Sequence, residues 1–202
     1  MYSGGDGMMH HIGIGDANFI RGNIPMTKQE IRILSIAKAK INDKDIIFDI
    51  GAGTGSLSIE AALLSPKGHV YAIERKAEGI ELIHKNAEKF SVTNITPILG
   101  EAPEQINGLP NCDVVFIGGS GGKLQEIFNT IDCKLKIGGR LIINAITVET
   151  MYEALNYLKT SPNYTYNACR VQVTQLNQVG RYHMEESQNP IAIIYGEKKL
   201  KS

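Results

Sequence analysis

The chain is expected to fold as an α/β protein with a mostly parallel sheet, a terminal antiparallel strand and helices on both faces. Three observations predict this. Short apolar runs at 46–50, 69–73, 112–117 and 141–145 alternate with helix-period segments, the pattern of strands buried on both faces. Each of the first four strands expected from 46 onward ends at a glycine or acidic cluster: 51–55, Glu74, 100–102 and 118–122. Two last runs, about 165–175 and 191–197, lie close enough in sequence to pair antiparallel and close the sheet. No linker, repeat or low-complexity segment divides the chain, so 1–202 reads as one domain, with 1–44 an N-terminal loop and helix and 45–202 the sheet core.

The elements follow in order. Residues 1–15 are rich in glycine and methionine and show no period, so a loose start is expected. His10 and His11 read as solvated rather than as metal ligands, because adjacent side chains diverge. Thr27 and Glu30 have the spacing of a capping box, and Ile31, Leu34, Ala37 and Ile41 mark one face of the helix it starts. Strand 46–50 runs through Gly51-Ala52-Gly53-Thr54-Gly55 into a helix carrying Leu57, Ala61 and Leu64. A strand, a glycine turn and a helix N-terminus make a nucleotide-type site, where free backbone N–H groups are expected to collect. Strand 69–73 ends in Glu74, and a helix near 76–90 aligns Ile80, Ile83, Ala87 and Phe90. Strands at 95–99 and 112–117 follow; Gly138-Gly139-Arg140 starts the fifth, and 147–159 is helical. In open sheets of this kind the ligand lies outside the carboxyl ends of the strands, where strand order reverses. Gly51 to Gly55, Glu74, Gly100 to Ala102 and Gly118 to Gly119 are therefore expected on one rim.

Composition narrows the function. The 202 residues carry 21 basic and 21 acidic side chains, so bulk charge points to neither nucleic acid nor an anionic membrane surface. No apolar run approaches the ~20 residues of a membrane span, and 1–15 lack the basic flank and apolar core of a secretory signal. Three scattered cysteines suit reduced thiols in a cytoplasm better than disulfides or a zinc site. The segment 118–123 lacks the spacing of a phosphate loop, and no G-x-S-x-G elbow is present. Arg170, Arg181 and the lysines at 198–201 read as solvated surface rather than an RNA track.

The dinucleotide fingerprint G-x-G-x-x-G would put a glycine at position 56, where Ser56 stands. Asp49 before the G-x-G-x-G turn, with Glu74 ending the next strand, instead resembles the class I S-adenosylmethionine-dependent methyltransferases, which have a Rossmann-like sheet. The resemblance implies that the glycine turn lies against the methionine and adenosine parts of the cofactor and that Glu74 takes the ribose hydroxyls. A carboxylate, an acceptor with two oxygens, suits two adjacent hydroxyl donors.

Within that superfamily Pro25-Met26-Thr27-Lys28, Asp49 to Ser56, Ala72-Ile73-Glu74, Gly100-Glu101-Ala102-Pro103, Phe116-Ile117-Gly118-Gly119 and Asn144-Ala145-Ile146-Thr147 resemble the CbiT family. These are the cobalt-precorrin-6B carbon-15 methyltransferases (decarboxylating) of anaerobic cobalamin synthesis. The likeness runs from about Asp16 to Glu149; Gly15 stands where a proline is expected, and the C-terminal strands carry no matching motif. It implies S-adenosylmethionine as cofactor, held by Thr27, Gly51, Ala52, Gly53, Thr54, Gly55, Glu74, Gly100, Ala102 and Gly118, with Ala102 against the adenine by its backbone. It also implies a tetrapyrrole substrate and a homotetramer, and leaves open an association with the carbon-5 methyltransferase. Arg21, Lys28 and Arg181 are candidates to pair the carboxylates of the ring, and Asn144 to orient one polar edge. No catalytic base is expected, because the methyl of a sulfonium is already activated. Two rivals stand beside this reading: an RNA methyltransferase of the same fold, and a protein that holds the cofactor without chemistry.

Overall fold

The structure, a computed structural model, describes residues 12–200, so His10 and His11 lie outside the described residues. The strands are β1 (Ile46–Ile50), β2 (His69–Glu74), β3 (Ile95–Leu99), β4 (Cys112–Ile117), β5 (Leu135–Ala145), β6 (Tyr164–Val171), β7 (Thr174–Val179), β8 (Tyr182–Ser187) and β9 (Ile191–Lys198). The helices are α1 (Gln29–Ala39), α2 (Ser56–Leu64), α3 (Ala77–Lys89), α4 (Leu124–Lys134) and α5 (Val148–Thr160). The main sheet runs β3-β2-β1-β4-β5-β9-β6, and β7-β8 form a separate hairpin. β1 to β5 are parallel, β9 is antiparallel to β5, and β6 is antiparallel to β9.

Alternate side chains of each strand feed opposite layers. Phe48, Ile50, Ile73, Val115 and Ile117 pack with Leu124, Phe128 and Ile131 of α4 and Leu158 of α5. Ile47, Val70, Val114 and Phe116 pack with Ile36 of α1 and Leu57 and Ile59 of α2. The parallel sheet covered on both faces is thus the expected one. Strand order reverses between β1 and β4, which places the ligand crevice above these two strands.

Four local readings change. The capping box does not form: Lys28 is the residue before α1 and caps with no side chain. Thr27 offers its carbonyl to Arg32 at 2.6 Å, while Glu30 accepts from Gln175 at 2.8 Å. The buried face of α1 is Ile31, Arg32, Ser35, Ile36 and Ala39, with Ala37 exposed. Arg32 rotates the helix because a fully buried guanidinium needs acceptors, and it finds Glu60 at 2.6 Å, Asp16 at 3.0 Å and the carbonyls of Thr27 and Ile14. Glu60 in turn accepts the N–H groups of Gly13 and Ile14. This network ties segment 13–28 across α1 and α2.

The other changes concern the second half. Helix α4, not singled out in the sequence, makes the crossover from β4 to β5, and β5 starts at Leu135, ahead of the glycine pair. The run read as one strand to Gln175 stops at Val171, and the chain then leaves the sheet as the β7-β8 hairpin. A two-residue turn at Gly180-Arg181 closes it, with Gly180 at φ 62°. An L side chain rarely adopts that angle, so glycine there is a hairpin signal.

Candidate cofactor and substrate cavity

A cavity of about 520 Å³ opens at the C-terminal ends of the parallel strands. Of the residues singled out from the sequence, Thr27, Lys28, Gly51, Ala52, Gly53, Glu74, Gly100, Ala102, Gly118 and Asn144 line it. Thr54 and Gly55 do not. Thr54 is buried beneath the loop, its Oγ1 without a partner among the described residues and its carbonyl accepting from Asn86 at 2.9 Å. Gly55 faces α3, where a Cβ would meet Ile83 at 2.8 Å. Arg21 is exposed away from the lining, and Arg181 sits at the hairpin turn, stacked on Tyr182 at 4.9 Å. A single chain therefore brings neither arginine to the cavity.

The glycine loop also differs from a phosphate cradle. The N–H groups of Gly51 and Ala52 both donate to Ile73 O, at 2.9 and 3.1 Å, and that of Gly55 donates to Ala52 O at 2.9 Å. The Gly53 N–H donates to Glu74 Oε2 at 2.9 Å, and Lys76 N–H to Glu74 Oε1 at 2.9 Å. The amides of Gly51, Ala52, Gly53 and Gly55 are thus taken up by protein acceptors, and the charged group at the loop is a fixed carboxylate. Phosphate is disfavoured here, and a nucleoside with a free diol is favoured: each Glu74 oxygen keeps a lone pair beyond its bond to the loop. A cation is favoured for the same reason.

Close backbone approach shapes the rest. Gly51 has φ 74°, and a Cβ there would lie 2.7 Å from Gly119 N, so the turn after β1 approaches that after β4 this closely only with glycine at 51. Gly79 in α3 was not read from the sequence, which offers a glycine inside a helical period as its one signal. A Cβ at Gly79 would lie 2.5 Å from Glu74 Cγ and 3.0 Å from Gly53 O. Gly79→Ala should therefore displace the carboxylate and lower cofactor affinity at least about tenfold. Thermal stability should change little, since alanine favours the helix by about 1 kcal/mol; calorimetry beside a melting curve reads both.

Asp49 is 2% exposed beneath the loop and accepts from Ser58 Oγ. Burial pushes its pKa up from 3.8 to about 6; the Ser58 bond opposes the shift and the nearby Glu74 charge adds to it. With a folded pKa above the unfolded one, the native state keeps a proton that the unfolded chain has lost. Stability falls as pH rises from about 4 to about 6, and a penalty on the order of 3 kcal/mol persists above that window. Asp49→Asn should raise the melting point relative to the natural protein at about pH 7.5 and not at about pH 4.

Further lining residues escaped the sequence reading: Arg75, Lys76, Ser120, Gln188 and Asn189. Arg75 and Lys76 follow Glu74 directly. Gln188 and Asn189 reach the cavity because the hairpin returns to β9 beside the end of β5, a placement no local pattern announces.

The comparisons agree with this geometry. Residues 18–198 match the family model described as a precorrin methyltransferase domain. A probable cobalt-precorrin-6B C(15)-methyltransferase (decarboxylating) of Sulfurisphaera tokodaii is 43% identical over 92% of this chain and 97% of its own. The cobalt-precorrin-6B C(15)-methyltransferase (decarboxylating) of Salmonella typhimurium is 37% identical over 91% and 95%. Among solved structures, a precorrin-6y C5,15-methyltransferase from Geobacter metallireducens superposes with a TM-score of 0.87 at 39% identity, covering 93% of this chain and 97% of that one. A precorrin 8W decarboxylase from Methanobacterium thermoautotrophicum gives 0.85 at 36% identity, over 90% and 98%. The family match also spans the C-terminal strands, for which the sequence showed no motif. With this coverage, and with a sheet whose order reverses beneath the cavity, the chain belongs to the precorrin methyltransferase family.

Proposed function

We propose that the protein transfers a methyl group from S-adenosylmethionine to carbon 15 of cobalt-precorrin-6B and releases a ring acetate carboxyl as carbon dioxide, in the anaerobic route to cobalamin. The observation that carries the cofactor half is the Glu74 carboxylate, fixed by Gly53 and Lys76 N–H beside a loop whose Gly51 and Ala52 amides are bound to Ile73 O. In this reading Glu74 binds both ribose hydroxyls, Gly51 to Gly53 and Gly118 border the methionine part, and Gly100 and Ala102 border the adenine. The cofactor supplies an electrophilic methyl on a sulfonium. The chain itself holds the two reactants in line and keeps water out, with Ile24, Met26 and Ile31 as an apolar wall. Lys28, half-buried at the cavity edge, pairs a carboxylate of the ring.

The homotetramer belongs to this reading as well. One face of the β7-β8 hairpin carries Val179, Tyr182 and Met184, each more than half exposed. Such a face supports burial against other copies, an assembly that would also decide whether Arg181 reaches a neighbouring site. A cytoplasmic setting and reduced thiols complete the proposal; among the described residues no helix is long and apolar enough to cross a membrane.

Purified protein incubated with methyl-labelled S-adenosylmethionine and either reduced cobalt-precorrin-6B or total RNA tests the proposal. Label in the tetrapyrrole is the expected result. Label in RNA, or cofactor binding with transfer to neither, would replace it by one of its rivals.

A further inference from the structure

The two ends of the cavity differ in chemistry. The acids of its lining, Glu74 and Glu101, stand at the ends of β2 and β3. At the opposite end β5 and β9 meet with Ala145 beside Ala192, which brings Asn144 and the segment 188–191 to one corner. Asn144 is 9% exposed. Ser35 Oγ, fully buried in α1, lies 3.0 Å from Asn144 Oδ1 and 2.8 Å from Ile31 O, and its single proton is shared between the two acceptors. With the oxygen held, Asn144 is left with its two amide N–H donors for the cavity. Gln188 is fixed through its backbone, its N–H donating to Val173 O at 2.9 Å and its carbonyl accepting from Gln172 at 2.6 Å. Among the described residues the side-chain amides of Gln188 and Asn189 have no protein partner. Ile146 and Ile191 complete the corner. The result is a set of neutral amides beside two isoleucines, with no carboxylate among them.

Resting on the methyltransferase reading above, we propose that this amide corner seats the acetate carboxylate that departs as carbon dioxide, with Asn144 orienting it and Ser35 acting as the positioning residue for Asn144. In the step, the bond between the side-chain methylene and its carboxyl carbon breaks and the electron pair passes into the conjugated ring. Carbon dioxide leaves, and a proton from water is delivered to the methylene carbon, which becomes a methyl group. Atoms and electrons balance without an oxidant or a reductant. The donor type matters because the negative charge must leave the carboxylate. A cation would stabilise the ground state more than the transition state, whereas neutral amides orient the group at little such cost. Lys28 then serves the carboxylates that do not react.

The test compares the natural protein, Asn144→Asp and Ser35→Ala with reduced cobalt-precorrin-6B and labelled S-adenosylmethionine. It reads carbon dioxide released per methyl transferred, beside S-adenosylhomocysteine affinity by calorimetry. Asn144→Asp puts an acceptor where the donors stood and should lower the ratio at least about tenfold. Ser35→Ala, mild for a helix, frees the amide to turn and should lower it about threefold. Cofactor affinity should stay within about twofold in both. An unchanged ratio in both variants, or a loss of cofactor affinity that accounts for the whole effect, would overturn the assignment. Failure of the natural protein to turn over the tetrapyrrole would instead defeat the parent reading, so the two failures are told apart.

Discussion

Glu74→Ala is expected to weaken S-adenosylmethionine binding by on the order of 100-fold, the largest functional effect of any single replacement in the cofactor half. The reason is structural as well as local. In the proposed binding mode the carboxylate gives charge-assisted acceptors to two ribose hydroxyls, which together would contribute about 3 kcal/mol. It also holds Gly53 N–H at 2.9 Å and Lys76 N–H at 2.9 Å, so its removal loosens the glycine loop. Glu74→Gln keeps the shape but loses the charge and one acceptor, and should fall between the two. Titration calorimetry with S-adenosylhomocysteine reads the effect, and equal affinities for all three proteins would remove Glu74 from the site.

Arg32→Met should cost about 3–5 kcal/mol of stability, because it leaves Glu60, 2% exposed, as a buried charge without its cation. The expected fall in melting temperature is roughly 10 °C for a chain of this size. Adding Glu60→Leu should recover much of the loss, since removing both members of a buried pair avoids the stranded carboxylate. The same network holds the Thr27 carbonyl at 2.6 Å, so the single variant should also bind cofactor less well as the wall formed by 24–28 slackens. A melting curve unchanged by Arg32→Met would show that the network is not the tie described here.

What was legible in the sequence was the material that depends on local pattern. The central strands β1 and β4 announced themselves by apolar runs, because both of their faces are buried. The ligand rim followed from glycines at strand ends, and ten of the fourteen residues singled out line the cavity. The misses share a cause: each depends on a distant partner. Thr27 and Glu30 have capping-box spacing, yet Arg32 claims the Thr27 carbonyl and turns α1 onto a face that includes a guanidinium. Thr54 and Gly55 belong to the right loop, yet the loop folds them under itself toward Asn86 and Ile83. Two amides of the turn, those of Gly51 and Ala52, are satisfied by Ile73 O across the β1-β2 pair, which only the register reveals. The β7-β8 hairpin is exposed along nearly its whole length, so it has no buried period to betray it, and Gly180 was its single cue.

The position of the nucleoside decides the function. A crystal structure with S-adenosylhomocysteine bound tests this directly. Both ribose hydroxyls should lie within hydrogen-bonding distance of the Glu74 carboxylate, with the adenine against Ala102. A ligand seated elsewhere, or a ribose with no contact to Glu74, would contradict it.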